Sequence, residues 1–339
     1  MRVAVVIPCF RVRRHIGAVL AAIGPDVSSV YVVDDHCPEQ TGAFVRESCD
    51  DPRVRVLTLD VNQGVGGATL AGIAAAVRDG ADICVKIDGD GQMDPALIGA
   101  FIRPIARGQA DYVKGNRFYR LDDVGSMPAV RIFGNAALSF LSKLSTGYWD
   151  IFDPTNGYFA IHAAVVRELP LDRISRRYFF ESDLLYHLAL LRARVLDVPM
   201  RARYGDETSG LRVGAIIPEF LAGHLRNFLK RVLYSYFLRN FSIASVYLLC
   251  GLVLLLSGGL FGAVTWYVDA SRGVFASTGT VMLAVLPIIL GFQLLLAFLS
   301  HDMAGVPTTP LHPRLPWPPA GNRPPGDQPP PQRMTPDAR

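Results

Sequence analysis

The chain has 339 residues, of which 50% are hydrophobic and 19% charged, and this apolar share is high for a soluble enzyme. The formal net charge of +4 is modest and the basic residues gather beside apolar segments, which argues against a nucleic-acid-binding protein. The cysteines have no C-x-x-C spacing, which argues against a zinc knuckle or a disulfide framework.

The first part of the sequence alternates short apolar runs with segments of helical periodicity. Residues 2–8 are expected to form a buried strand and residues 11–23 a helix with one apolar face. Further strands are expected at residues 29–35, 53–59 and 81–91, with a glycine-rich turn and a helix before the last. This alternation predicts an α/β domain with a mostly parallel sheet and helices on both faces.

Carboxylates follow two of these strands where each strand ends. They are Asp34 and Asp35 in one place, and Asp88 and Asp90 in the other. Ligands of parallel sheets collect at the carboxyl ends of the strands, so a binding site is expected there. For Asp34 and Asp35 an alternative is open, because Asp at a strand end also caps the following helix. The turn at residues 62–67 matches neither phosphate-binding glycine motif and is interpreted as a tight turn beside the ligand.

The pattern lapses between residues 119 and 150 and then resumes. Residues 153–166 are expected to form a turn and a strand leading into a helix. A further helix at residues 178–193 starts near Glu181 and Asp183, and residues 195–210 are expected to form a strand and a polar loop. These elements complete a domain at residues 1–213.

Two long stretches near the C-terminus, residues 241–268 and 273–300, contain no Asp, Glu, Lys or Arg. At about 1.5 Å of rise per residue, each can cross a hydrocarbon core of about 30 Å. Core helices are the alternative, but helices of globular proteins average only about 11 to 12 residues. We therefore predict two transmembrane helices in residues 241–300. Residues 214–240 mix Leu and Phe with basic residues, which favours an amphipathic juxtamembrane helix over an ordinary packed helix.

Charges beside the predicted spans indicate the orientation. The first span follows Arg226, Lys230, Arg231 and Arg239, whereas the loop between the spans offers only Asp269 and Arg272. Residues 1–10 pass directly into a strand pattern, so no cleaved leader is expected. We expect a multi-pass protein of the cell (inner) membrane, with its first domain in the cytoplasm and membrane lipids as partners. Residues 301–339 are rich in proline and are predicted to form a disordered cytoplasmic tail.

Residues 88–92, DGDGQ, are the most informative short stretch. Oxygen atoms of Asp88, Asp90 and Gln92 at one strand end suit Mg²⁺ or Mn²⁺, which commonly bridge substrate phosphates. A calcium loop is an alternative, but the following residues lack the twelve-residue ligand series that ends in Glu. A structural turn is another, and the position after an apolar strand disfavours it.

The segments VIPCF, VVDD, NQGVGGA, DGDGQMDP, KGNRF, DPTNGYFA and FFESDLL occur in the order found in family 2 glycosyltransferases. The resemblance covers residues 3–212. With its two spans, the chain resembles the polyprenyl-phosphate glycosyltransferase branch, which includes dolichyl-phosphate mannose synthases. This resemblance implies a GT-A fold, which is Rossmann-like, a nucleotide-sugar donor and a polyprenyl phosphate acceptor. It also implies homo-oligomers, whose subunit number the sequence does not fix.

The resemblance also implies roles for particular residues. It assigns the metal and the donor diphosphate to Asp88, Asp90 and Gln92, and the nucleobase to Pro8, Asp34 and Asp35. A basic residue after the last strand contacts phosphates in relatives, and Arg201 or Arg203 fills that place. The usual GxSK of the family reads GDETSG here, which departs from the pattern. Arg117 in KGNRF is a second candidate for the donor pocket, with a surface cation as its alternative role.

The charges of the reaction indicate which acceptor is expected. The leaving nucleoside diphosphate gains negative charge, which a divalent cation and a nearby arginine neutralise. A phosphate acceptor, with a second pKa of about 6, is largely ionised at neutral pH and needs no strong base. A sugar hydroxyl needs one, and Glu181 or Asp183 is then the candidate, with helix capping as the alternative role.

The first hypothesis is inverting transfer of a sugar from a nucleotide-sugar to a polyprenyl phosphate. Transfer to a hydroxyl of a glycan or glycolipid is one alternative. A processive polysaccharide synthase is a second, and the QxxRW element expected of it does not occur in this sequence. A non-catalytic membrane scaffold recruited through the proline-rich tail is a third, which has little need for acidic pairs at strand ends.

Overall fold

The domain predicted at residues 1–213 forms an α/β unit. A computed structural model describes residues 1–119, 129–201 and 213–316 of the chain. The strands are β1 Val3–Cys9, β2 Ser29–Asp34, β3 Val54–Thr58, β4 Ile83–Lys86, β5 Tyr112–Asn116, β6 Phe159–His162 and β7 Val195–Pro199. The helices are α1 Arg13–Ala21, α2 Thr41–Ser48, α3 Gly64–Arg78, α4 Ile98–Ala106, α5 Ala129–Thr146, α6 Ala163–Glu168 and α7 Phe180–Leu191.

The seven strands form one sheet in the order β3-β2-β1-β4-β6-β5-β7. Strand β1 is parallel to β2 and β4, β2 to β3, and β5 to β7. Only β6, among these seven strands, is antiparallel to its neighbours. The predicted mostly parallel α/β sheet is therefore confirmed. The loops that follow β1, β2 and β4 leave the sheet at the same edge, because these adjacent strands run in one direction.

Apolar side chains fill both sides of the sheet. Helices α1, α2 and α4 pack on one face, and α3, α6 and α7 pack on the other. Gly72 brings α3 close to the sheet, since a Cβ atom there would lie 2.8 Å from a methyl group of Val33. Gly99 of α4, in contrast, faces open space. The close approach of α3 therefore depends on a residue without a side chain.

Three α-helices follow the α/β domain in the described part of the chain. Helix α8, Val213–Leu233, continues as a π-helical turn, Tyr234–Arg239, and is followed by α9, Ile243–Arg272, and α10, Thr278–Ala304. Helices α9 and α10 are long and apolar enough to cross a membrane, judged by length and composition. In their most apolar stretches 22% and 11% of the residues are buried, unlike the core helices of a soluble domain. The two predicted apolar helices are confirmed as helices.

Helices α9 and α10 pack closely through glycine. At Gly291 of α10, a Cβ atom would lie 2.7 Å from the backbone nitrogen of Leu255 in α9. Gly251 of α9 is buried against α10, where a Cβ atom would lie 3.1 Å from the carbonyl oxygen of Gly291. Small residues at such positions let the two helix backbones approach closely. In lipid, where the hydrophobic effect does not favour contact between helices, this close packing is what holds apolar helices together.

The expectation of a disordered tail from residue 301 onwards is wrong for residues 301–316. Helix α10 extends to Ala304, and residues 305–316, here called the return segment, pack back against the α/β domain. The fully buried carboxylate of Asp111 accepts hydrogen bonds from the backbone N–H groups of Leu311 and His312, each 2.7 Å long, and from Nδ1 of His312. The proline-rich composition of this segment leaves enough backbone donors to bind a buried acceptor. The rest of the predicted tail, residues 317–339, lies outside the described residues.

The return segment also makes apolar contacts. The ring of His312 stacks on that of His162 with 4.2 Å between the ring centroids. Val306 and Leu315 pack against the core on the α3 side of the sheet. The α/β domain is therefore completed by residues that follow both apolar helices, and not within residues 1–213 alone.

Candidate active site

Two cavities meet at the edge of the sheet where β1, β2 and β4 end. The smaller, of about 440 Å³, lies over these strand ends, and we call it the sheet cavity. The larger, of about 870 Å³, reaches helices α5 and α8, and we call it the helix cavity. Both are lined by Val65, Asp88, Asp90 and Tyr178. The two carboxylates therefore stand where one cavity passes into the other.

A tight turn after β4 presents the two carboxylates. Gly91 adopts a φ of 78°, and Oδ1 of Asp90 accepts the backbone N–H of Gln92 at 2.9 Å. Oδ1 of Asp88 lies 2.6 Å from Nζ of Lys86, the last residue of β4. Gln92 lines the helix cavity beside them. The structure therefore brings the three predicted metal ligands to one turn that faces both cavities.

Two lysines lie beneath this turn. Lys86 and Lys114 are fully buried, and Nζ of Lys114 donates a hydrogen bond to the carbonyl oxygen of Asn156. Burial lowers the pKa of Lys114 to about 8, although nearby carboxylates oppose this change. A Cβ atom at Gly157 would lie 3.2 Å from Oδ2 of Asp88 and would also meet Nζ of Lys86. The glycine in DPTNG thus leaves room for the contact between Lys86 and Asp88.

The predicted acids of α7 are separated by the helix. Residues two apart point about 200° from each other around a helix. Glu181 lines the helix cavity, where burial raises its pKa and the charges of Lys86 and Lys114 oppose the rise. Asp183 instead accepts hydrogen bonds from the N–H of Ser175 at 2.7 Å and from Nδ2 of Asn227 at 2.8 Å.

Asp183 therefore does not reach either cavity, and the catalytic role predicted for it has no geometric support. Its contact with Asn227 fixes α8 to α7. Its side chain is almost completely buried, which keeps this link away from water. Glu181 remains the one of the two predicted acids that the structure brings to the site.

Asp34 and Asp35 have different environments. The carboxylate of Asp34 accepts the N–H groups of Cys37 at 2.7 Å and Gly42 at 2.6 Å, near the start of α2. This is the capping role that the sequence left open, and Asp34 does not line the sheet cavity. Asp35 lines that cavity together with Pro8, and its carboxylate accepts the N–H groups of Gln63 and Gly64. Asp35 therefore holds the glycine-rich turn against the end of β2.

The arginines predicted from the sequence are only partly brought to the site. Arg117 lines the helix cavity and makes a two-point ion pair with the buried Asp153, at 2.7 and 3.0 Å. Arg201 is exposed and lines neither cavity, and Arg203 lies outside the described residues. Arg177, which the sequence interpretation missed, lines the sheet cavity instead.

The residues on the turn suit a hard divalent cation. Within the described ranges, no group of three or more His, Cys, Asp or Glu side chains converges on one point. Asp88, Asp90 and Gln92 offer only oxygen ligands, and Mg²⁺ typically takes one or two carboxylates and leaves its other positions to water and substrate phosphates. The donor set therefore fits Mg²⁺ or Mn²⁺ bound together with a phosphate ligand, and it is too small for a closed all-protein site.

The far wall of the helix cavity is apolar and continues onto an exposed surface. Leu138 and Leu141 of α5 form this wall with residues of α8. At intervals of four, α8 exposes Ile217, Leu221, Leu225, Leu229 and Leu233, which we call the apolar stripe. The first two members also line the cavity. Each is 48% to 59% exposed, which is unusual for a continuous row of aliphatic side chains and typical of a membrane or partner surface.

The chain is similar in sequence to known glycosyltransferases. Residues 4–170 match the family model described as glycosyl transferase family 2. The undecaprenyl-phosphate mannosyltransferase of Micrococcus luteus is 31% identical over 204 residues, which span 59% of this chain and 83% of that protein. The UDP-N-acetylglucosamine–dolichyl-phosphate N-acetylglucosaminyltransferase of Methanococcus voltae is 28% identical over 191 residues, or 52% and 76% of the two chains.

A solved structure resembles the fold. Glucosyl-3-phosphoglycerate synthase from Mycobacterium tuberculosis, in complex with Mn²⁺, uridine diphosphate and phosphoglyceric acid, superposes with a TM-score of 0.53 at 20% sequence identity. The match covers 67% of this chain and 78% of that one. At this level of identity the likeness supports the GT-A fold and nothing finer.

Proposed function

This chain belongs to glycosyl transferase family 2, and from this membership we propose that it transfers a sugar from a nucleotide-sugar to a polyprenyl phosphate, with inversion at the sugar carbon. The relatives from Micrococcus luteus and Methanococcus voltae are named for undecaprenyl phosphate and dolichyl phosphate, which supports this acceptor class. The chain is a glycosyltransferase, so the non-catalytic scaffold is set aside.

The observation that carries the proposal is the path from the two carboxylates to the apolar stripe. A donor in the sheet cavity would place its reacting sugar near Asp88 and Asp90, at the mouth of the helix cavity. A lipid in the helix cavity would lie with its phosphate towards the same carboxylates and its hydrocarbon along Ile217 and Leu221. The apolar wall and the exposed row of aliphatic side chains that continues it match a hydrocarbon chain in polarity.

We propose that Asp88, Asp90 and Gln92 hold Mg²⁺ or Mn²⁺ with the donor diphosphate. A bound divalent cation would neutralise charge on the leaving diphosphate. Lys86 would hold Asp88 in place through their 2.6 Å contact, and Arg177 would add positive charge on the sheet-cavity side. Asp35 would position the turn at Gln63 and Gly64 against the nucleoside.

On the acceptor side, the ionised phosphate would itself be the nucleophile. Its oxygen would bond to the sugar carbon while the bond from that carbon to the diphosphate breaks, and no proton needs to be removed. Arg117, held rigid by Asp153, lines the cavity where this phosphate would lie. We propose that Arg117 orients the acceptor phosphate.

The membrane setting is part of the proposal. Helices α9 and α10 would span the cell (inner) membrane with the catalytic domain on the cytoplasmic side, and the apolar stripe of α8 would lie in the surface of the same leaflet. Membrane lipids are then direct partners. Assembly into homo-oligomers stays a prediction from the family resemblance.

A direct test uses the full-length protein in detergent with a panel of nucleotide-sugars, polyprenyl phosphate and MnCl₂ or MgCl₂. We expect release of nucleoside diphosphate that requires lipid and metal and that chelation abolishes. Asp90→Asn should lower this release at least 100-fold, a magnitude typical of losing a key electrostatic group. Asp60→Asn, an exposed carboxylate outside both cavities, is the matched control and should retain activity. Metal-independent turnover, or equal losses in both variants, would refute the site.

Transfer to a sugar hydroxyl is the second candidate, and the raised pKa of Glu181 in the helix cavity favours it. A carboxylate of this kind could accept the proton of a hydroxyl. Glu181→Gln separates the two candidates. With a phosphate acceptor the rate should change by no more than a few-fold, whereas loss of a general base should lower it by roughly 10²- to 10⁴-fold.

A further inference from the structure

A third cavity lies at the membrane-proximal end of the protein. Its volume is about 470 Å³, and it shares no lining residue with the sheet cavity or the helix cavity. Asn240 and Ser242, which directly precede α9, form one side of it. His301 and Gly305, at the end of α10, form another. We call this space the interfacial cavity because it lies between the ends of the two apolar helices that adjoin the α/β domain.

The inner part of the interfacial cavity contains an arginine that is incompletely satisfied. Arg231 is 5% exposed and makes a two-point ion pair with Asp302, at 2.6 and 3.0 Å. Asp302 also accepts hydrogen bonds from Tyr236 and from Nε1 of Trp149, so its oxygens are fully used. The Nε–H group of Arg231 is buried and has no acceptor among the described residues. A buried donor of this kind is expected to have a partner.

The rim of the cavity carries two further arginines. Arg239 donates to the carbonyl oxygen of Leu190 at 2.6 Å, and Arg192 makes a long contact of 3.4 Å with that of Gly305. Both side chains are exposed, and within the described ranges neither is paired with a carboxylate. Three guanidinium groups and the single carboxylate of Asp302 therefore line the cavity, a difference of two positive charges.

From this arrangement we propose that the interfacial cavity binds the anionic headgroup of a membrane phospholipid through its phosphate. Guanidinium groups match phosphate oxygens in charge and in geometry. The lipid, rather than a free phosphate, is the occupant because the cavity lies at the depth where α9 begins and α10 ends, which is the headgroup level if these helices span the bilayer. The site is separate from the cavity assigned to the acceptor lipid, since the two have no wall in common.

The test measures lipid retention and does not depend on transfer activity. Full-length protein is exchanged into detergent containing phosphatidylglycerol or phosphatidylcholine, and the bound lipid is counted by native mass spectrometry. Variants Arg192→Gln and Arg239→Gln are compared singly and together, so that one unstable variant does not end the test. The control replaces two exposed arginines of α4 and its end, Arg103→Gln with Arg107→Gln, which keeps the net charge matched.

We expect the wild type to retain phosphatidylglycerol in preference to phosphatidylcholine. Retention should fall about fivefold in each single variant and about 30-fold in the double variant. These values assume that each basic residue near a lipid surface contributes about 1 kcal/mol to lipid binding. The control should match the wild type. Equal retention of phosphatidylcholine, an equal loss in the control, or displacement of the lipid by millimolar inorganic phosphate alone would overturn the proposal, the last by identifying a soluble-phosphate site.

Discussion

Removing the return segment should destabilise the α/β domain even though the segment lies beyond both apolar helices. A chain that ends at residue 304 loses three of the four hydrogen bonds to Asp111, since only the N–H of Arg194 remains. Hydrogen bonds to a charged group contribute about 1.5 kcal/mol or more each, so the loss is about 4 to 5 kcal/mol. The apolar contacts of Val306 and Leu315 add to this figure.

The same variant should respond differently to pH. Burial acts to raise the pKa of Asp111, but the hydrogen bonds from His312, Leu311 and Arg194 outweigh it and lower the pKa in the folded protein. A carboxyl whose pKa is lowered by folding stabilises the protein fully above its unfolded pKa of about 3.9 and loses this contribution as the pH falls through the folded value. The difference in stability between the full chain and the truncated chain should therefore be largest near neutral pH and should shrink in acid.

Thermal unfolding in detergent, followed by circular dichroism, measures both effects. A loss of 4 to 5 kcal/mol corresponds to a fall of roughly 10 °C or more in the unfolding temperature of a domain of about 200 residues. A chain that ends at residue 316 keeps the return segment and serves as the control, with an expected change below about 2 °C. If the two truncations unfold at the same temperature, the return segment does not stabilise the domain and the reasoning is refuted.

Three further predictions concern single residues. The pKa of Lys114 is lowered to about 8 from an ordinary value of about 10.4, so the folded state favours the neutral amine. The free energy of unfolding of the wild type minus that of Lys114→Met should therefore rise as the pH increases between these two values. Gly72→Ala should lower the free energy of unfolding by about 1–3 kcal/mol through crowding against the sheet, whereas Gly99→Ala should raise it by about 0.4–1 kcal/mol. Gly291→Val should separate α9 from α10 and lower the unfolding temperature. Gly259 faces open space, so Gly259→Ala should leave the unfolding temperature unchanged.

Each of these has a clear contrary result. A flat difference between the pH profiles of the wild type and Lys114→Met would show that the amine keeps an ordinary pKa. If Gly72→Ala is as stable as Gly99→Ala, then α3 has room to move away from the sheet. If Gly291→Val and Gly259→Ala unfold alike, the packing between α9 and α10 does not depend on Gly291.

Much of the fold follows from the sequence because its elements are regular. Apolar runs of strand length that alternate with helical periodicity predicted the parallel sheet, and strand-end carboxylates predicted the edge at which the cavities lie. Helix α5, Ala129–Thr146, was not predicted because the alternation of strand and helix patterns lapses between residues 119 and 150. Its leucines nevertheless form part of the helix cavity, so an element without a motif supplies part of the site.

The site residues were predicted where a motif fixed their type, and missed where only packing did. Asp88, Asp90 and Gln92 belong to one turn of five consecutive residues, so the sequence itself predicted that they lie close together. Lys86 and Lys114 were not predicted as site residues, although a lysine inside a run of buried strand residues needs a polar partner. The separation of Glu181 from Asp183 could also have been read, because residues two apart on a helix cannot share a face.

The return segment required knowledge that no local pattern supplies. Its backbone donors serve a carboxylate about 200 residues earlier in the chain, and proline-rich composition by itself is typical of disorder. Arg177 was missed for a similar reason, because its place at the sheet cavity depends on how the segment before α7 crosses the start of α3 at Gly64.

The position of the return segment in the chain also determines when the catalytic domain can mature during synthesis. Asp111 emerges from the ribosome long before Leu311 and His312, and both apolar helices are made in between. Until His312 has been made, Asp111 lacks three of the four donors that bind its carboxylate in the folded protein. The α/β domain therefore gains its full set of hydrogen bonds only after α9 and α10 have been synthesised, and a chain that ends before residue 311 leaves a buried carboxylate short of donors.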